Sequence, residues 1–129
     1  MNTQYLQKLI ADIAIIHPND DFALDKLWTE ITDILSDNVC DTIHFFENEC
    51  TDEELYWLGP VLEDIAEKTQ SQELLKVIRT RLADVTYDSF CKNEFISDFL
   101  QNHIDYTEYV RSISSDIEFA EARITNLSE

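Results

Sequence analysis

Apolar residues recur at steps of three and four along nearly the whole chain, the period of amphipathic helices rather than strands. The first stripe, Leu6, Leu9, Ile13 and Ile16, predicts a helix from about Thr3 to Ile16. His17-Pro18-Asn19-Asp20 ends it, since the residue before a proline avoids helical geometry. Asp20 is placed to cap a second helix with Leu24, Leu27, Trp28, Ile31, Ile34 and Leu35 inward. Ser36-Asp37-Asn38 breaks that helix and caps a third, with Val39, Ile43, Phe46 and Cys50 inward. Thr51-Asp52-Glu53-Glu54 fits a capping box, Thr51 capping and Glu54 reaching back. The helix it opens shows Leu55, Leu58, Leu62 and Ile65 on one side. Gly59-Pro60 must kink or split it, because Pro60 has no N–H to donate to the carbonyl of Tyr56.

Ser71 starts a fifth helix carrying Leu74, Leu75, Ile78, Leu82 and Val85, and a sixth is expected from about Tyr87 to Asn102 with Cys91, Phe95 and Phe99. Tyr106, Val110, Ile113, Ile117, Ala120, Ile124 and Leu127 then alternate steps of four and three, a heptad-like stripe expected to pack onto its own domain. Helix pairs recur every ~32–35 residues, a spacing shared with helical solenoids. The expected fold is all-α: about seven amphipathic helices in an antiparallel helix-pair (HEAT-like) array or an irregular bundle, in a single domain over residues 1–129. One glycine and two prolines leave little material for hairpins and agree with that class.

Charge changes the picture more than composition does. The chain carries 27 acidic residues against nine Lys and Arg, a net of −18. From Leu27 to Glu67 there are twelve acids and no Lys or Arg: Glu30, Asp33, Asp37, Asp41, Glu47, Glu49, Asp52, Glu53, Glu54, Glu63, Asp64 and Glu67. Like charges repel in the folded state, so such a block weakens the fold that carries it. A cationic partner would reward keeping it; a solvated outer face is the plainer alternative. Nucleic acid is not an expected ligand, because a polyanion repels phosphates and the nine bases form no stripe. Lys76, Arg79 and Arg81 cluster on the fifth helix, where ion pairs with neighbouring acids account for them.

Catalytic chemistry finds little purchase. With one glycine there is no phosphate-cradling loop. Cys40 and His44 share an i, i+4 face, but no CxxC, HExxH or second close pair completes a metal site, so partly buried helix residues are the expected reading. His17 is expected in an exposed turn, and Cys91 with His103 forms no recognisable nucleophile–base pair. The expectation is no enzyme, no cofactor and no metal. Cys40, Cys50 and Cys91 are expected as reduced, buried thiols of a cytoplasmic protein, with Cys40 and Cys50 on one helix. No apolar run approaches the ~20 residues that span a bilayer, and the N-terminal residues lack the pattern of a signal peptide.

On a helical wheel Trp57 leaves the fourth helix's stripe beside Glu53 and Asp64, and Tyr56 leaves it on the other flank near Glu63 and Glu67. Aromatic residues ringed by polar ones are typical interface anchors, so Trp57 is either such an anchor or packed against a neighbouring helix. The candidate partner-binding residues are Asp33, Asp37, Asp41, Glu47, Glu49, Glu53, Tyr56, Trp57, Asp64 and Glu67.

Asp52-Glu53-Glu54-Leu55-Tyr56-Trp57-Leu58, followed by Val61-Leu62-Glu63-Asp64-Ile65-Ala66-Glu67-Lys68-Thr69-Gln70-Ser71 and Glu73-Leu74, resembles a segment of small helical immunity proteins. These belong to bacterial polymorphic-toxin and contact-dependent growth inhibition systems. The stretch covers about a fifth of the chain, and Gly59-Pro60 departs from the uninterrupted helix expected there. The resemblance implies a cytoplasmic antidote that binds its cognate toxin domain, often a nuclease with a cationic groove, and occludes its active site as a monomer in a 1:1 complex. The alternatives are an acidic DNA mimic that inhibits a DNA-binding protein, and a helical scaffold or chaperone.

Overall fold

The computed structural model describes residues 1–16, 19–92 and 104–125. Its helices are α1 (Thr3–Ile15), α2 (Asp21–Asp37), α3 (Val39–Asn48), α4 (Asp52–Trp57), α5 (Leu62–Thr69), α6 (Gln72–Ala83), α7 (Tyr87–Lys92) and α8 (Tyr106–Ala122). A 3₁₀ turn, Gly59–Val61, joins α4 to α5. The chain is all-α, with no strand among the described residues.

Capping chemistry sets most of the starts. Asn2, Asp20, Asn38, Thr51, Ser71 and Asp105 each accept a backbone N–H from the first turn of the helix they open. Each such cap contributes about 1 kcal/mol. At α4 both halves of the capping box form: the Glu54 N–H donates to Thr51 Oγ1 at 3.1 Å, and the Thr51 N–H to Glu54 Oε1 at 2.9 Å. Pro60 splits the fourth expected helix as its missing donor requires. At the end of α5, Gln70 takes the left-handed conformation (φ 51°), and its N–H donates to the Ala66 carbonyl.

The core follows the stripes closely: Leu6, Leu9, Ile13, Leu55, Leu58, Leu62, Ile65, Leu74, Leu75, Ile78, Leu82, Val85, Ile113, Ile117, Ala120 and Ile124 are all buried. Ile10, Phe45 and Tyr109 join them from positions flanking the stripes. In α2 Ile31, Leu35 and Thr32 are buried, while Leu24, Leu27, Trp28 and Ile34 are half-buried. In α3, Phe46 is buried and Val39 and Ile43 are half-buried.

Helices α5 and α6 both pack on α8, α3 lies on α6, and α1 and α2 close the other side against α4 and α5. In a plain helix-pair solenoid each repeat touches only its neighbours. Here α8 reaches α4, the 3₁₀ turn, α5, α6 and α7, so the arrangement is an irregular bundle built around its last described helix. No described helix is long and apolar enough to cross a membrane. The expected sixth helix is described only over Tyr87–Lys92; Phe95, Phe99 and His103 lie outside the described residues, as do His17 and Leu127.

The thiols differ from expectation. Cys50 is buried, but it follows the end of α3 rather than sharing a helix with Cys40, and Cys40 and Cys91 are exposed. Val39 and Thr42 take the inward positions beside Cys40, which turns its side chain to solvent.

Candidate functional site

Seventeen residues of α2 alternate an enclosed face with an open one. The enclosed face carries Ile31 and Leu35; the open one carries Asp21, Asp25, Thr29, Asp33 and Asp37, all exposed. These five stand at successive i+4 positions, which form one ridge on a helix surface. Four residues rise about 6 Å, so the carboxylates sample a row of about 24 Å. Phe22, beside the ridge's first turn, is 82% exposed although α2 has a core to face. At the other end Asp37 and Asp33 share a groove with Asp41 of α3 and with Met1, whose ammonium lies 3.3 Å from Asp41.

The 3₁₀ turn and α5 form a wall beside this ridge. Between them and α2 runs a groove of about 390 Å³, lined by Asp25, Trp28 and Thr29 on one side and by Pro60, Asp64 and Lys68 on the other. The proline break creates that wall: Pro60 is exposed while its neighbours Gly59 and Val61 are buried. Lys68 Nζ reaches Asp33 Oδ1 at 3.0 Å across the groove. Trp28 buries its indole nitrogen, which has no hydrogen-bond partner among the described residues.

Bases from outside the acidic block neutralise part of it. Arg81 holds Asp52 at 2.5 Å, and Arg123 reaches Glu63 at 2.9 Å and Glu67 at 3.2 Å. Within the block itself, His44 lies 3.7 Å from Glu49. Tyr5 donates its hydroxyl to Glu30, and that hydrogen bond, then burial, pushes the phenol's pKa up. Among the described residues Asp21, Asp25, Asp37, Glu47 and Asp64 pair with no base. Four of those five flank the α2 ridge or its groove; Glu47 belongs to a different groove, between α3 and α6.

The ten expected partner-binding residues therefore separate into groups. Asp33, Asp37 and Asp41 come together, and Asp64 faces the same helix across the groove. Glu47 sits on α3 and Glu49 just past its end, and Glu67 is committed to Arg123. Glu53, Tyr56 and Trp57 depart from the wheel. Glu53 is only 5% exposed and accepts a hydrogen bond from Trp57 Nε1 at 3.2 Å. Tyr56 stacks on Tyr109 of α8 with centroids 6.1 Å apart, and Trp57 meets Tyr56 edge-on at 5.4 Å. The reason is packing: α4 is held between α1 and α8, so it buries more than the one stripe a two-layer wheel allows. Trp57 is half-buried against the core, not an outlying aromatic among acids.

The basic cluster of α6 resolves largely as expected, since Arg79 forms a two-bonded pair with Glu121 at 2.6 and 3.0 Å and Arg81 pairs with Asp52. Cys40 and His44 are both exposed rather than partly buried. No group of three or more potential metal ligands occurs among the described residues. The sequence reading missed Phe22, Asp21 and Asp25 because Lys26 closes the base-free block one residue before Leu27. A phenylalanine between two aspartates, ahead of the apolar stripe, was the available signal. No family model matches this chain, and no curated protein or solved structure matches it.

Proposed function

We propose that this chain is an immunity protein that neutralises a cationic toxin domain, a nuclease being the best fit, by covering its active site with the acidic ridge of α2. The observation that carries the reading is the row of exposed carboxylates from Asp21 to Asp37, beside an 82% exposed Phe22. Each exposed ion pair contributes only ~0–1 kcal/mol, so no one acid dominates. Jointly they steer a basic partner and raise its association rate by ~10–10³-fold. An aromatic anchor ringed by polar groups, as Phe22 is here, supplies the slow dissociation that charge alone does not. In this reading the protein acts in the cytoplasm, as a monomer in a 1:1 complex, without catalysis or cofactor. A DNA mimic asks for two phosphate-like rows of acids, and α2 supplies one, so a toxin domain is the better-supported partner.

The test is co-expression with a toxin domain encoded directly upstream. The chain should protect the host and co-purify with the toxin at low salt. Reversing Asp33, Asp37, Asp41 and Asp64 to Lys should abolish both effects while the helical circular dichroism is kept. Full protection by the reversed variant would sink the proposal.

A further inference from the structure

We infer that the groove between α2 and the 3₁₀ turn receives an arginine side chain of the basic partner, its guanidinium set between Asp25 and Asp64 against the indole of Trp28. This rests on the proposed function for its partner, but the groove's chemistry is on its own walls. Asp25 and Asp64 face it from opposite sides, both exposed and neither paired with a base among the described residues. A cation already enters this field, since Lys68 crosses the groove to Asp33 at 3.0 Å. The groove's acids, with Asp33 and Glu30 adjoining, outnumber Lys68 and the neighbouring Lys26, so its charge remains unbalanced toward another cation.

The aromatic wall selects which cation. Trp28 lines the groove while its indole nitrogen is buried, so what it offers an occupant is its carbon framework rather than its N–H. Trp is the strongest cation–π partner among the side chains. A guanidinium is planar and weakly hydrated, stacks on aromatic faces and bonds two carboxylate oxygens at once, whereas an ammonium is a compact, strongly hydrated point charge. Pro60 and Thr29 complete the wall, and the base that shares it, Lys68, is turned to Asp33. The volume, about 390 Å³, has ample room for one side chain.

Arginine in the groove is distinct from general attraction to the ridge, and a simple probe separates them. Titration of the ¹⁵N-labelled full chain with octa-arginine, and in parallel with octa-lysine, reads both Trp indole N–H signals, assigned with Trp57→Phe. Octa-arginine should shift the Trp28 indole saturably, leave that of Trp57 in place, and bind several-fold more tightly than octa-lysine. The Asp25→Asn/Asp64→Asn double variant, altered only at exposed positions, should lose about tenfold in affinity, two such pairs having that joint effect. Lys68→Gln should bind more tightly than the natural chain, because it removes the resident cation. Equal affinity for the two peptides, an unmoved Trp28 indole, or unchanged binding by the Asn variant would each overturn the inference. The toxin experiment reads the proposed function separately. Protection by a chain whose groove ignores arginine would leave that function standing and this site wrong; a groove selective for arginine in a chain that protects against nothing would reverse the two.

Discussion

Arg81→Met is the sharpest test of how the fold holds its own charge. Arg81 Nη2 donates to the Cys50 carbonyl at 2.8 Å and to Asp52 Oδ1 at 2.5 Å. The Asp52 carbonyl in turn accepts the hydroxyl of Tyr109. One guanidinium thus ties the α3–α4 connection to α6, and the same connection is tied to α8. Burial works against the charge on Arg81, yet the hydrogen bond to Asp52 and that carboxylate's charge raise its pKa overall. The side chains are only 16% and 13% exposed. Removing one partner of a fully buried pair costs ~3–5 kcal/mol, and an exposed pair contributes ~0–1 kcal/mol. This pair lies nearer the buried limit, so Arg81→Met should cost about 3 kcal/mol, seen as a fall of about 10 °C in Tm. Methionine keeps the aliphatic packing, which isolates the charge and its donors. Urea unfolding of Arg81→Met, Asp52→Asn and the double variant forms the cycle. The double variant should recover a substantial part of the Arg81→Met loss, since it removes the buried carboxylate charge together with its cation. A cost within about 0.5 kcal/mol of zero, the size of an ordinary surface change, would refute the reasoning. So would strict additivity of the two single changes.

Other outcomes follow from neighbouring geometry. Burial pushes the Cys50 thiol well above the usual range while Cys40 and Cys91 are exposed, so the native chain should show two thiols reactive toward Ellman's reagent and a third only in denaturant. A methyl group on Gly59 would overlap the Asp116 carboxylate of α8, so Gly59→Ala should cost ~1–3 kcal/mol in urea unfolding, and Asp116→Ala should relieve most of that loss. Burial first, and then the charge of Glu63, raise the pKa of Asp116 above the ordinary carboxylate range. The folded chain therefore holds that proton more tightly than the unfolded chain, and its contribution grows as pH falls through the folded pKa. Asp116→Asn should raise Tm at neutral pH and lose that advantage in acid.

Most of the fold was legible because helical periodicity and capping are local. The start of α4 needed only Thr51 and Glu54, and the break after it needed only Pro60, so both appear where those residues place them. The candidate site was less legible because exposure depends on how many neighbours a helix has. A wheel gives α4 one buried stripe; packing between α1 and α8 gives it two faces, so Glu53 turns from an open position to a buried one and Tyr56 and Trp57 to half-buried ones. The reverse holds for α2, where Leu24, Leu27 and Trp28 read as core yet remain half-exposed, Trp28 along a groove no stripe could reveal. Pairing was also invisible. Arg81, Lys68 and Arg123 return from distant segments to quench Asp52, Asp33, Glu63 and Glu67, so block charge in sequence overstates the free charge of α5 and leaves α2 as the open acidic face.

The central claim is that the α2 ridge, not net charge in general, receives a basic toxin. Its most direct test is the association rate constant with the basic toxin domain the chain is proposed to bind, measured across ionic strength for the natural chain and for Asp25→Asn/Asp33→Asn/Asp37→Asn/Asp64→Asn. A second variant with four acids neutralised elsewhere, Glu73→Gln/Asp84→Asn/Asp88→Asn/Glu118→Gln, matches the change in net charge. The account predicts that the ridge variant loses ~10-fold or more in rate at low salt and most of its salt dependence, while the matched variant keeps both. Equal losses in the two variants would contradict it.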